Sequence, residues 1–393
     1  MSDPVVIASY ARTPMGGLQG AFSEVGATHL GAEAVRAAVS RAGISGEAVD
    51  QIVMGCVLPG GLGQAPARQA AIFADLGQHV EATTINKMCG SGMQAAIMAH
   101  DALLAGSAEV IVAGGMESMT GAPYLLPKHR GGARLGHDVV KDSMFLDGLE
   151  DAYNPGKLMG AFAEEAAQEY QFTREVQDEY AIRSLSLARK AQDEGGFDRE
   201  ITPVTVKTRK GEATVAIDEQ PGKANVEKIP SLRPAFAKDG TVTAANSSSI
   251  SDGAAALVMC RASTAEKLGM TPVAKVVGHA FHAHEPARFT TAPVFATRKL
   301  MERIGWSMDD VDLFEVNEAF AVVALIAERD LGIDRDKLNV NGGACALGHP
   351  IGASGARIMA TLLGALETRK LKRGVASICI GGGEATAIAL ELI

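Results

Sequence analysis

The sequence predicts a layered α/β protein built from two similar copies with a third lobe inserted between them. Three observations carry this. Short apolar runs bounded by glycine alternate with long Ala/Leu-rich stretches, the pattern of helices packed on sheets. Motifs of the first hundred residues return in the same order near the end of the chain. The stretch between them, from about 120 to 250, is richer in charge and proline. With 393 residues and 47% apolar content the chain fills two or three ordinary domains.

In chain order, strand-like runs fall at 51–57, 109–113, 312–316 and 376–380. In each copy a glycine-rich turn precedes a helix with hardly a polar face, at 93–105 and 356–366, and such helices are expected to be buried on most sides. Gly43-Ile44-Ser45 leading to Val49-Asp50 is echoed by Gly305-Trp306-Ser307 leading to Val311-Asp312, and Ser91-Gly92 by Ser354-Gly355. Matching the glycines of 111–117 with those of 378–384 places Cys379 opposite Val112. The inserted lobe carries helical periodicity at 162–169 and 175–191, and it reads either as a substrate wall or as a structural extension.

The N-terminal residues show no basic region followed by an apolar run, and nothing later approaches the roughly 18 apolar residues of a membrane span, so a cytoplasmic location is expected. A net charge of −9 disfavours nucleic acid as a partner, even with a local patch of Lys128, Arg130 and Arg134. Cysteines 56, 89, 260, 345 and 379 form no paired framework and read as separate thiols. His279, His282 and His284 lack a cysteine or carboxylate at ligand spacing and read as loop or surface, so no metal is assigned to them.

Cys89 stands in Asn86-Lys87-Met88-Cys89-Gly90-Ser91-Gly92, just before a buried helix whose free amides would stabilise a thiolate; a small buried hydrophobe is the alternative. His349 lies in the glycine-rich stretch 341–355, before the second buried helix, which the duplication brings toward the first. It fits either a general base for Cys89 or a structural histidine in a phosphate-binding loop. Cys379 ends a strand before Gly381-Gly382-Gly383, whose amides suit an oxyanion, although packing alone would also place a cysteine there. Asn317-Glu318-Ala319-Phe320 is either a helix cap or a cleft wall.

At these four blocks, in this order and over the whole chain, the sequence resembles the thiolase family. The resemblance implies a duplicated five-layered α-β-α-β-α core with an inserted loop domain. The domains it implies are residues 1–120 plus about 250–270, a loop domain at 121–249 covering coenzyme A, and residues 271–393. It implies an acetyl-CoA C-acetyltransferase in which Cys89 carries the acyl group, His349 activates it and Cys379 moves a proton on the second acetyl-CoA. The resemblance assigns one oxyanion to His349 with a water held by Asn317, and the other to the amides of Cys89 and Gly381.

By the same resemblance coenzyme A meets Leu149, Met159, Phe236, Ala244, Ser248, Ala319 and Phe320, and no metal or redox cofactor is needed. Tyr180, Ala244, Ala245 and Ser247 match potassium-binding positions of one subgroup, and a homotetramer built as a dimer of dimers is expected. Leu158 stands where many biosynthetic members have histidine, and Phe289 where several have methionine, which puts chain length and tolerance of a 2-methyl branch in question. A degradative 3-ketoacyl-CoA thiolase and a non-catalytic acyl-CoA-binding scaffold are the competing readings.

Overall fold

The computed structural model describes residues 3–209 and 211–393. The strands that matter are β1 (Val5–Arg12), β2 (Gln51–Gly55), β3 (Glu81–Ile85), β4 (Val110–Ser118), β5 (Ser251–Arg261), β6 (Ala274–Ala283), β7 (Leu313–Val316), β8 (Arg373–Ile380) and β9 (Glu384–Leu392). They follow one another across a mixed sheet as β7-β8-β9-β6-β1-β5-β4-β2-β3, with the short Gly16–Gly17 strand added to β5. The two halves of this order are the two copies, joined where β1 meets β6 over two residue pairs.

Helices α1 (Ala27–Ala42) and α2 (Pro66–Phe73) cover one outer face of the first copy. Helices α3 (Ser91–Ala105), α4 (Met159–Glu169), α5 (Arg174–Asp193), α6 (Ala292–Ile304), α7 (Ala321–Leu331) and α8 (Ile351–Arg369) follow in chain order. Of these, α6 and α7 cover the outer face of the second copy, while α3 and α8 lie between the two half-sheets. Three apolar clusters fill the spaces on either side of the sheets, which gives the five layers.

The central helices approach as backbones rather than side chains. A Cβ at Gly92 would lie 2.7 Å from the amide nitrogen of Ala356, and one at Gly355 would lie 2.3 Å from that of Met93. The two contacts are mirror partners, as a pseudo-two-fold axis between the copies requires. Helix α8 is buried without a break from Ile351 to Leu366, whereas α3 leaves Met98, Asp101 and Leu104 exposed, so only the second helix lacks a polar face altogether.

Register corrects the expected match between the copies. Both first strands carry a one-residue bulge, at Ala8 in β1 and Val277 in β6. Counting from the bulges makes Val258 equivalent to Ala389, and therefore their partners Val112 and Val375 equivalent. The Asp50 carboxylate accepts from the amides of Glu109 and Val110, as Asp312 does from Lys372 and Arg373, which gives the same count. Cys379 thus stands opposite Met116, not Val112. The glycines misled because they serve different ends: Gly114 and Gly115 admit the Ala255 and Gly352 carbonyls inside the sheet, while Gly382 and Gly383 turn the chain at positive φ. The copies also differ at one edge, where β3 pairs with β2 over five residues but its counterpart is a single bridge between Phe314 and Leu338.

Between β4 and β5 run two short strand pairs and helices α4 and α5. Arg12, wholly buried, ties this stretch to β1 through Glu200 at 3.0 Å and Asp218 at 2.6 Å. No helix among the described residues is long and apolar enough to cross a membrane.

Candidate active site

Cys89 sits in a strained turn at the N-terminus of α3. Met88 adopts φ 45°, a left-handed conformation uncommon for a residue with a side chain. Ser91 holds the turn shut: its hydroxyl donates to the Met88 carbonyl at 2.6 Å and accepts from the Lys87 amide at 2.8 Å. Lys87 is anchored in turn by Glu384, and Ile380 packs where a side chain on Gly90 would be, so the end of β8 lies against the Cys89 turn. The amide of Gly381 donates to the Cys89 thiol, but burial outweighs it and pushes the thiol up to about 11. Cys379 is raised well above an ordinary thiol, first by burial and then by the charge of Cys89.

His349 is presented by the equivalent helix end. Residues 341–355, expected as one long loop, instead contain a short helix at Ala344–Leu347, and α8 starts already at Ile351. His349 Nδ1 lies 2.6 Å from the Ser354 hydroxyl, which itself donates to the Pro350 carbonyl at 2.9 Å. With its one proton given to Pro350, Ser354 can only accept, so the imidazole proton belongs on Nδ1 and Nε2 is a bare base. Nε2 is buried without a partner, and burial, reinforced by Arg357, pushes the imidazole down to about 3.

Asn317 follows β7, its amide nitrogen on the Ser377 carbonyl and its side-chain oxygen accepting from Arg357 at 3.3 Å. Its side-chain NH2 is buried and unpartnered, a donor free for an acceptor of the kind an oxyanion or water supplies. Glu318 turns the other way, to the N-terminus of the Ala344–Leu347 helix. It accepts from Tyr180 (3.0 Å), Ser184 (2.7 Å), Asn339 (3.0 Å) and the Cys345 amide (3.0 Å), tying α5 to the loop that leads to His349.

Burial and the Glu318 charge raise the Cys345 thiol well above its usual range. In the other copy Glu117 accepts from the amides of Val57, Leu58 and Gly352 and so pins the first turn of α8; burial pushes it up to about 7.

A cleft of about 580 Å³ opens beside the Cys89 turn, lined by Asn86, Met88, Gly148, Met159, Gly381 and Gly382 among others. Leu149, Met88 and Cys89 pack against one small apolar cluster of Val57, Leu58, Met119, Met144 and Ile351. The other expected coenzyme A contacts form a second wall: Ser248 donates through both its amide and its hydroxyl to the Ala319 carbonyl, and Phe236 meets Phe320 edge-on at 6.0 Å. Ala244 is exposed on the adjoining loop. A larger cleft of about 780 Å³ lies behind Phe236 and touches none of the reactive side chains.

Of the expected potassium positions, Ala244, Ala245 and Ser247 share a loop held to α5 by the bond from Asn246 to Asp178, two residues before Tyr180. The Ser247 hydroxyl is buried without a partner. Phe289 is buried and faces Phe320 at 6.3 Å.

The model of the thiolase N-terminal domain matches residues 5–263, and that of the thiolase C-terminal domain matches residues 270–392. The chain belongs to the thiolase family. It is 47% identical to an acetyl-CoA acetyltransferase of Cupriavidus necator over 98% of this chain and 99% of that one. To acetyl-CoA acetyltransferase 2 of Arabidopsis thaliana it is 48% identical over 99% and 97%. The crystal structure of the Bacillus anthracis acetyl-CoA acetyltransferase superposes with a TM-score of 0.97 at 40% identity, covering 100% of this chain and 99% of that one.

Sequence reasoning missed Ser354 and Glu117. The first was signalled by its equivalence to Ser91; the second stands in a strand that reads as apolar and has no local mark. Of the histidines expected on a loop or at the surface, His279 and His282 lie within β6 and His284 just beyond it, all three half-buried.

Proposed function

We propose that the chain is an acetyl-CoA C-acetyltransferase that condenses two acetyl-CoA to acetoacetyl-CoA and coenzyme A, reversibly and by a ping-pong route. One observation carries the reading: a bare, buried His349 Nε2 just before α8, whose backbone meets that of α3 just after Cys89, with an unpartnered Asn317 NH2 on the residue that Arg357 of α8 bonds, and a second thiol whose ionisation Cys89 opposes. His349 takes the Cys89 proton as sulfur attacks the thioester carbonyl, then returns it to the departing coenzyme A. Both groups are neutral at rest, the thiol raised and the imidazole lowered, so the proton moves with the attack rather than before it.

Once acylated, Cys89 can no longer form a thiolate beside Cys379, a charge that would oppose ionisation of the second thiol. In the second half-reaction Cys379 passes its own proton to His349 and takes a methyl proton from the second acetyl-CoA; the carbanion attacks acyl-Cys89, and His349 returns its proton to the departing Cys89 sulfur. His349 with Asn317 serves one developing oxyanion, and the amides of Cys89 and Gly381 the other.

Leu149, Met159, Phe236, Ala244, Ser248, Ala319 and Phe320 hold coenzyme A in this reading, supported by the cleft beside Met159 and the wall from Ser248 to Phe320. The chemistry uses no redox or metal cofactor; potassium near Tyr180, Ala244, Ala245 and Ser247 would stiffen the loop, a role that the unpartnered Ser247 hydroxyl supports. The proposal extends to a cytoplasmic homotetramer, on the resemblance to the family.

The test is the thiolysis rate across 3-ketoacyl-CoA chain lengths, including 2-methylacetoacetyl-CoA, with Cys89→Ala as the blank. Activity confined to short substrates and lost in the variant supports the reading. Turnover of six-carbon and longer substrates would favour a degradative thiolase, and no turnover a scaffold.

A further inference from the structure

His279 has no ligand partner nearby in sequence, but the fold supplies two. Strand β6 of the second copy brings it against α3 of the first, where His100 and Asp101 stand next to each other. His100 Nδ1 lies 2.9 Å and His279 Nε2 3.0 Å from the same carboxylate oxygen, Asp101 Oδ1. The three ligand atoms all fall within 4.8 Å of one another, and the two rings stand edge-on with centroids 5.2 Å apart. Each imidazole side chain is only 12% exposed, so packing holds both rings, while the carboxylate is 57% exposed and leaves the site open to solvent on one side. The neighbouring pair, His282 and His284, instead meets Phe295 and brings no carboxylate.

We propose that His100 Nδ1, Asp101 Oδ1 and His279 Nε2 bind a divalent transition-metal ion of the zinc class, with water completing the coordination. Two imidazoles and one carboxylate form a donor set suited to zinc, nickel or cobalt and not to calcium or magnesium, which take oxygen. Ligand atoms around tetrahedral zinc are separated by about 3.4 Å at bond lengths near 2.1 Å. The carboxylate oxygen therefore has to withdraw by a few tenths of an ångström, a shift open to an exposed side chain, and the two imidazole nitrogens, which lie within 4.8 Å of each other, have to settle at the same separation.

Arg303 directs its guanidinium at the His279 carbonyl, 2.7 Å away, rather than at the ring nitrogens. His279 Nδ1 has no acceptor, so the outer support that strengthens many metal-binding histidines is missing, and moderate affinity is expected. His100 lies nine residues beyond Ser91 along α3, about 13 Å at the helical rise, so the ion stitches the two copies together at a distance from Cys89.

The test uses the full chain, stripped with a chelator and titrated with cobalt(II) and zinc. The expected result is one equivalent of cobalt with visible ligand-field bands and no thiolate charge-transfer band, together with a rise in melting temperature on adding zinc. Both signals weaken at least tenfold in His279→Gln and in Asp101→Asn and persist in Cys89→Ala, while acyl-transfer activity in the first two stays at its starting level and reports that they are folded. Should His279→Gln lose activity, Asp101→Asn, on the exposed side of the site, decides. No saturable binding at micromolar metal, binding that survives Asp101→Asn, or binding abolished by Cys89→Ala would each overturn the proposal.

Discussion

Replacing Ser354 with alanine tests the most specific claim about His349. The hydroxyl is wholly buried, so no water replaces it, and the imidazole Nδ1–H loses its only acceptor. Leaving a buried donor unpaired costs about 1–3 kcal/mol. The same loss lets the ring move its proton to Nε2, the atom that has to be bare to accept from Cys89. At 1.36 kcal/mol per decade this preference corresponds to a fall of about 5- to 150-fold in the fraction of productive enzyme. Because Ser354 is turned toward Pro350 and His349 and does not line the cleft, the fall belongs to kcat, with KM little changed. Steady-state thiolysis of acetoacetyl-CoA reads both constants, and Ser354→Thr, which keeps the hydroxyl, should recover much of the rate. A variant with a lowered melting temperature but unchanged kcat would refute the reasoning, since it would make the bond structural only.

Two further expectations follow from the same geometry. Gly355→Ala places a methyl 2.3 Å from a backbone nitrogen of the facing helix, which no rotamer relieves; a loss of about 2–3 kcal/mol is expected from urea unfolding, and a shift below 0.5 would show that the central helices can part. His349 is lowered to about 3 in the fold against about 6.5 in the unfolded chain, so the unfolded state binds the extra proton between those values. The stability it contributes is complete above pH 6.5 and lost as the pH falls toward 3. Melting curves from pH 7 to 4 should therefore be flatter for His349→Asn than for the parent, and parallel curves would count against a neutral buried imidazole.

The copies, the two central helices and the placement of Cys89 and His349 at their ends were legible because each is written in consecutive residues: a small-residue turn followed by an apolar stretch. What stayed hidden depends on pairing between distant segments. The equivalence of Cys379 to Met116 is set by bulges at Ala8 and Val277, and no local pattern distinguishes glycines that admit a carbonyl from glycines that turn a chain. Glu117 sits inside β4, where alternation gives no hint that three amides converge on it. Asp101 was likewise invisible as a partner of His279, since 178 residues separate them. The resemblance to thiolases supplied the roles of the reactive residues; the geometry adds the direction of the proton on His349.

The interlock of Gly92 with Ala356 and Gly355 with Met93, together with the sheet shared at β1 and β6, bears on how a substrate gets in. Two bodies whose backbones touch on the axis relating them have no room to rock, so this molecule cannot open like a clamshell. Access to Cys89 runs instead through the cleft beside its turn, one wall of which, at Leu146, Gly148, Tyr153 and Met159, belongs to the segment inserted between the copies. Acyl transfer here is carried out in a fixed cradle, and whatever breathing it needs belongs to the covering chain.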